Sequence, residues 1–153
     1  MSNTSPLSEQ VDSLQELVAA LIREHRSFPL QIQGLDEGLT SNGDVREVAR
    51  RFVKLQSDLT AHMVTEEFDF YPVLMERGLF DETVSTIMQQ HHELTADLNR
   101  MEVSLRAGEM REFKSALDDL QRELGVHQPA EEEKVFPLVS LPPADASKRR
   151  TDG

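Results

Sequence analysis

The chain contains no cysteine. Disulfides, thiolate nucleophiles and cysteine-held clusters are therefore excluded, and the composition fits a reducing compartment. Basic residues are also scarce. Sixteen Lys and Arg face 28 Asp and Glu, a formal net charge of −12. That balance argues against gripping a phosphate backbone and against docking on an anionic membrane surface. The one basic cluster, Lys148-Arg149-Arg150, lies near the C-terminus and is too small to reverse the sign. No apolar run approaches the roughly 18 residues that a spanning helix needs. Residues 1–10 are polar, so no secretory signal is expected and a cytoplasmic location is. At 153 residues with 38% hydrophobic content, one domain with a compact core is expected.

What the chain does have is a pattern written twice. Residues 62–72 read His-Met-Val-Thr-Glu-Glu-Phe-Asp-Phe-Tyr-Pro, and residues 127–137 read His-Gln-Pro-Ala-Glu-Glu-Glu-Lys-Val-Phe-Pro. Both are His-x3-Glu-Glu-x3-aromatic-Pro. Each copy is preceded, at a similar distance, by a further histidine: His25 before the first and His91 before the second.

Four segments carry apolar residues at alternating steps of three and four, the buried stripe of a bundled helix. The first runs from Leu14 through Leu21, His25, Phe28 and Ile32 to Leu39. The second runs from Val45 through Phe52 and Leu59 to His62 and Glu66. The third runs from Val84 through Ile87, His91 and Leu94 to Leu105. The fourth runs from Phe113 through Leu120 and Leu124 to His127 and Glu131. Breaks fall between them. Ser41-Asn42-Gly43 ends the first, Asp44 and Glu47 form a capping-box pattern, Gly78 and Asp81 separate the second from the third, and Ala107-Gly108 the third from the fourth. Short connections make neighbouring helices antiparallel. The expected fold is all-α, an up-down-up-down antiparallel four-helix bundle over residues 12–139. Residues 1–11 are expected as a polar N-terminal tail and 140–153 as a disordered C-terminal one. Pro29, Pro72 and Pro129 interrupt helical stretches, and Pro29 removes one hydrogen bond to the carbonyl of His25.

The phase of the stripes carries the chemistry. His25, His62, His91 and His127 each take a stripe position, one per helix, and Glu66 and Glu131 follow their histidines by one turn on the same face. A single histidine on an apolar face is usually a satisfied core residue. Four of them with two glutamates are another matter, because an ionised carboxylate in an apolar core costs several kcal/mol unless compensated. No stripe lysine or arginine stands beside them. A pair of divalent or trivalent cations is the simplest compensator, and imidazole with carboxylate suits iron, manganese or zinc. His92 is rotated off the stripe and reads as a boundary residue. Glu24, Glu67, Glu93, Glu132 and Glu133 read mainly as solvated faces, one of which could be an extra ligand or orient an imidazole. Tyr71, the only tyrosine, aligns with Phe136 of the second copy and reads as packing.

With these residues the chain resembles the hemerythrin-like family of HHE cation-binding domains. The resemblance rests on Glu24-His25, on His62-x3-Glu66-Glu67 with Tyr71-Pro72, on His91-His92-Glu93, and on His127-x3-Glu131-Glu132 with Phe136-Pro137. It implies a non-haem centre of two iron ions with an oxo or hydroxo bridge. His25 and His62 would bind one iron, His91 and His127 the other, and Glu66 and Glu131 would bridge them. The oxygen-carrying members have two histidines four apart on the third helix, where this chain has Ile87 and Thr95 beside His91. They also use His-x4-Asp where this chain has His127-x3-Glu131. The departures imply an open position on each iron. The expected ligand is therefore O2, NO or peroxide, bound or sensed. A di-iron oxidase or peroxidase, and an acidic helical interaction module with a structural metal, are the alternatives. No protein partner is indicated.

Overall fold

The structure, a computed structural model, describes residues 6–41 and 43–142, with side chains from residue 13 onward. All regular structure among the described residues is helical. Four long helices, α1 (Pro6–Thr40), α2 (Val45–Thr65), α4 (Glu82–Ala107) and α5 (Met110–Lys134), account for most of it. A π-helical turn at Glu66–Phe70 leads from α2 into the short α3 (Tyr71–Glu76), and a 3-10 turn at Phe136–Ser140 follows α5. No described helix is long and apolar enough to cross a membrane.

The helix ends follow their local chemistry. Asp44 caps α2 by accepting the Arg46 N–H, and Asp81 caps α4 by accepting the Val84 N–H. The capping box at α2 is not closed, because the Glu47 carboxylate turns outward to Arg50 and Arg51. Gly43 is needed where it stands: its N–H reaches the Gly38 carbonyl, and a Cβ there would collide with that oxygen. Gly108 ends α4 in the left-handed region at φ 71°.

Helix α1 begins earlier than the apolar stripe. Residues 6–11, expected in the polar tail, are helical. Pro6 occupies the first helical position, where its missing N–H costs nothing. Adding polar residues to the end of an existing helix needs no new nucleation. Residues 1–5, Asn42 and the C-terminal stretch 143–153 lie outside the described residues.

The core comes in two parts. One gathers Phe28, Ile32, Leu35, Phe52, Leu59 and Leu94 with others from α4 and α5. The other gathers Leu14, Leu21, Phe70, Tyr71, Ile87 and Phe136 with their neighbours. The helices pass from one part to the other: α1 and α4 leave the second for the first, while α5, and α2 as continued by the π-helical turn and α3, return. Most stripe residues are buried as expected; Val18, Leu39 and Leu105 are half-buried, and Val45 is exposed at the first turn of α2. Between the two apolar parts lies the layer of histidines and glutamates.

Candidate metal centre

Each long helix delivers its histidine at the turn where it crosses between the two cores. His25, His62, His91, His127, Glu66 and Glu131 are all at most 3% exposed. They converge as two groups of donors. One is His25, His62, Glu66 and Glu131; the other is His91, His127, Glu66 and Glu131. Within each group one donor atom per residue lies within 4.8 Å of all the others, and both glutamates serve both groups. The imidazoles pair accordingly. Ring centroids are 4.8 Å apart for His25 and His62, and 5.1 Å for His91 and His127.

The donor atoms face one another without satisfying one another. His25 Nε2 is 2.9 Å from Glu131 Oε1, and His62 Nε2 and His91 Nε2 are each 3.2 Å from Glu66 Oε1. His127 Nε2 is 3.5 Å from Glu131 Oε2. Yet none of the four Nε2 atoms makes an aligned hydrogen bond, and neither do both Glu66 oxygens nor Glu131 Oε1. Native interiors leave few polar atoms unpaired. Seven in one layer, all aimed inward, is the arrangement of ligands around a shared positive charge, and the residues fit a metal pair.

Three of the four outer nitrogens are held by a second set of side chains, and the placement of that set obeys the repeat. The residue before each lone histidine supports the repeat histidine of its own half: Glu24 Oε1 lies 3.0 Å from His62 Nδ1, and Gln90 Oε1 lies 2.8 Å from His127 Nδ1. The second glutamate of each copy faces the lone histidine of the other half. Glu67 Oε1 is 3.1 Å from His91 Nδ1, whereas Glu132 Oε2 stands 3.7 Å from His25 Nδ1, too far to accept a hydrogen bond from it. An Nδ1–H donated to Glu24, Gln90 or Glu67 leaves the Nε2 lone pair free for a metal. Thus Glu24 and Glu67, read as solvated faces, orient imidazoles, and Gln90 joins them. Its signal was present in the sequence, since it precedes His91 as Glu24 precedes His25. His92 and Glu93 are exposed and stand off the layer, as does Glu133.

The repeated aromatic residues cross over in the same way. Phe136 stacks on His25 with centroids 5.4 Å apart, and Tyr71 meets His91 at 6.1 Å. Tyr71 does more than pack. Its hydroxyl, fully buried, donates to Glu131 Oε2 at 2.5 Å. The Tyr71→Phe change is therefore expected to keep the fold while loosening metal retention at Glu131 about tenfold, the scale of outer-shell ligand partners. Metal release into a chelator, compared with wild type, checks this; equal rates would mean that Tyr71 only packs.

Burial shapes the protonation of the layer. It pushes the Glu66 carboxyl well above its usual range, reinforced by the charge on Glu131. Burial opposes ionisation of Glu131 as well, but the closeness of Glu66, His127 and His25 outweighs it and holds Glu131 well below the usual range. The two buried carboxyls are thus pushed in opposite directions, Glu66 toward its protonated form and Glu131 toward its ionised form. Burial lowers His62 to about 4 against the opposing bond to Glu24, and lowers His91 against the bond to Glu67. Burial and the charges of Glu131 and Glu66 raise Tyr71, so it stays a donor.

The π-helical turn was not expected. The Tyr71 N–H bonds back to the Glu66 carbonyl, five residues away, and Pro72, lacking an N–H, follows at once. The extra residue in this turn lets Glu66, Phe70 and Tyr71 all face inward. In the second copy α5 stops instead, and Phe136-Pro137 enter the 3-10 turn.

Comparison with protein families agrees with this chemistry. Residues 82–152 match the family model described as Hemerythrin HHE cation binding domain. The match takes in α4 and α5, and with them His91, His127 and Glu131. No curated protein and no solved structure matches the chain.

Proposed function

We propose that the whole chain is a hemerythrin-like di-iron protein that binds or senses O2, NO or peroxide. The observation that carries this is the set of inward, unpaired Nε2 and carboxylate atoms in two groups that share Glu66 and Glu131. His25 and His62 hold one ion, His91 and His127 the other, and the two glutamates bridge. The internal repeat extends the reading to the half outside the matched residues. The passage of successive helices between the two cores supports an antiparallel up-down-up-down order. Iron is the metal we assign; manganese and zinc suit the same donors. A cytoplasmic location and a small diatomic ligand or peroxide as partner complete the proposal, with no nucleic acid and no membrane.

Each group offers four protein donors. Iron bound there would supply open coordination positions for a small ligand and the electrons to reduce it. The chain's own residues do the rest. Uptake of a cation needs the ionised form of Glu66, which burial opposes, while the lowered His62 and His91 favour their neutral, ligating form. Glu24, Glu67 and Gln90 keep the imidazoles turned inward, and the apolar residues above and below exclude water.

The test is metal content and visible absorption of protein made in iron-supplemented cells and purified without chelator. About two irons per chain, with a spectrum that changes on adding O2 or NO, is the expected result. A folded chain that takes up no iron on anaerobic reconstitution would defeat the proposal.

A further inference from the structure

Helix α1 runs without a break through Pro29. A proline inside a helix lacks the N–H that should reach the carbonyl four residues earlier, and its ring crowds that carbonyl outward. The carbonyl in question belongs to His25. It is buried among groups that water does not reach, where an unpaired carbonyl is costly. The structure supplies a donor from another helix: Gln128 Nε2 on α5 donates to His25 O at 3.2 Å. Gln128 is itself buried, at 8% exposure, and directly follows His127.

The internal repeat makes its own comparison. In the other half the residue four after the lone histidine is Thr95, which has an N–H, and α4 is continuous there. The position that matches Gln128, directly after His62, is Met63, which cannot donate. The contact crosses between the halves, so the proline of one half faces the amide of the other, and in the matching crossing Thr95 is paired with Met63, which has no amide.

We propose that Gln128 is a positioning residue. Its side-chain amide replaces the peptide N–H missing at Pro29 and ties the His25 turn of α1 to the His127 turn of α5, so that the two histidine pairs are held at one level. This role rests on the proposed metal centre: the tie joins the backbone of a ligand on one ion to the neighbour of a ligand on the other. It also explains why proline is tolerated at that turn.

The experiment is a double-mutant cycle on the full chain with Gln128→Met, Pro29→Thr and both together. The double variant reproduces at this crossing the Thr and Met that stand at the matching positions of the other crossing. Each is loaded anaerobically with Fe2+, and release into a chelator is followed. Gln128→Met alone is expected to speed release of one of the two ions about tenfold and to leave the other near its wild-type rate. In the Pro29→Thr background the same change should alter release less than about twofold, because the threonine N–H now takes the His25 carbonyl. Equal effects in both backgrounds, or equal loss of both ions, would overturn the proposal. Should the wild-type chain bind no Fe2+, the metal reading fails separately. The cycle is then read by urea midpoints of the unloaded chain. Rescue by Pro29→Thr there would support the tie, and additive effects would overturn it.

Discussion

Glu131→Gln is expected to empty both halves of the centre at once, whereas His25→Ala should empty one. Glu131 touches His25 of one group and His127 of the other, and takes the Tyr71 hydroxyl besides. The amide keeps the shape of the side chain but not its charge, so both ions lose a ligand and the anion that offsets them. Iron per chain should fall from about two to below about 0.5 for Glu131→Gln, and to about one for His25→Ala. Stability of the unloaded chain should fall as well, because the folded surroundings hold the Glu131 carboxyl well below its usual range and so favour its ionised form, which the amide lacks. Iron analysis paired with urea unfolding reads both effects. Retention of about two irons by Glu131→Gln would remove this residue from the bridge.

The unloaded chain should lose stability steeply between pH 6.5 and 4. His62 stands at about 4 in the folded chain and at its ordinary value of 6.5 once unfolded. Between those limits the unfolded state binds a proton that the folded state refuses, so stability rises with pH across the window. Seen from neutral pH, the stability is present above 6.5 and is lost as pH falls toward 4. His62 alone accounts for about 3 kcal/mol over the full window. His91 is shifted in the same direction and adds to the loss. Glu66 acts in the opposite sense: its raised carboxyl favours the folded state at low pH and gives that stability up as pH rises above the usual carboxylate value. Urea midpoints of metal-free protein at several pH values test this. His62→Phe, which cannot titrate, should flatten the acid limb; an unchanged slope would show that His62 is not the group responsible.

The repeated pattern made much of the centre legible from local rules. Helical periodicity sets which residues share a face, and it needs no knowledge of the neighbours. Hence the six inward residues, the caps at Asp44 and Asp81, and the breaks at Gly43, Gly78 and Gly108 could all be read along the chain. The capping box failed at Glu47 because two arginines one turn away compete for its carboxylate. The helical start at Pro6 is not legible in the sequence, because a polar helix end carries no apolar stripe to mark it.

Other features depend on how the helices are rotated and stacked, and no window of sequence contains that. The single tyrosine reads as packing until Glu131, far along the chain, is brought to 2.5 Å from its hydroxyl. Glu67 and Glu132 look like ordinary exposed acids until the halves cross and place each beside the other half's histidine. Pro29 reads as a lost hydrogen bond, and only the seating of α5 on α1 brings the Gln128 amide to the orphaned carbonyl. Local periodicity chose the residues that face the axis. The partner each one meets there was set by packing, because side chains from distant segments come within bonding distance only after the cores on both sides have closed.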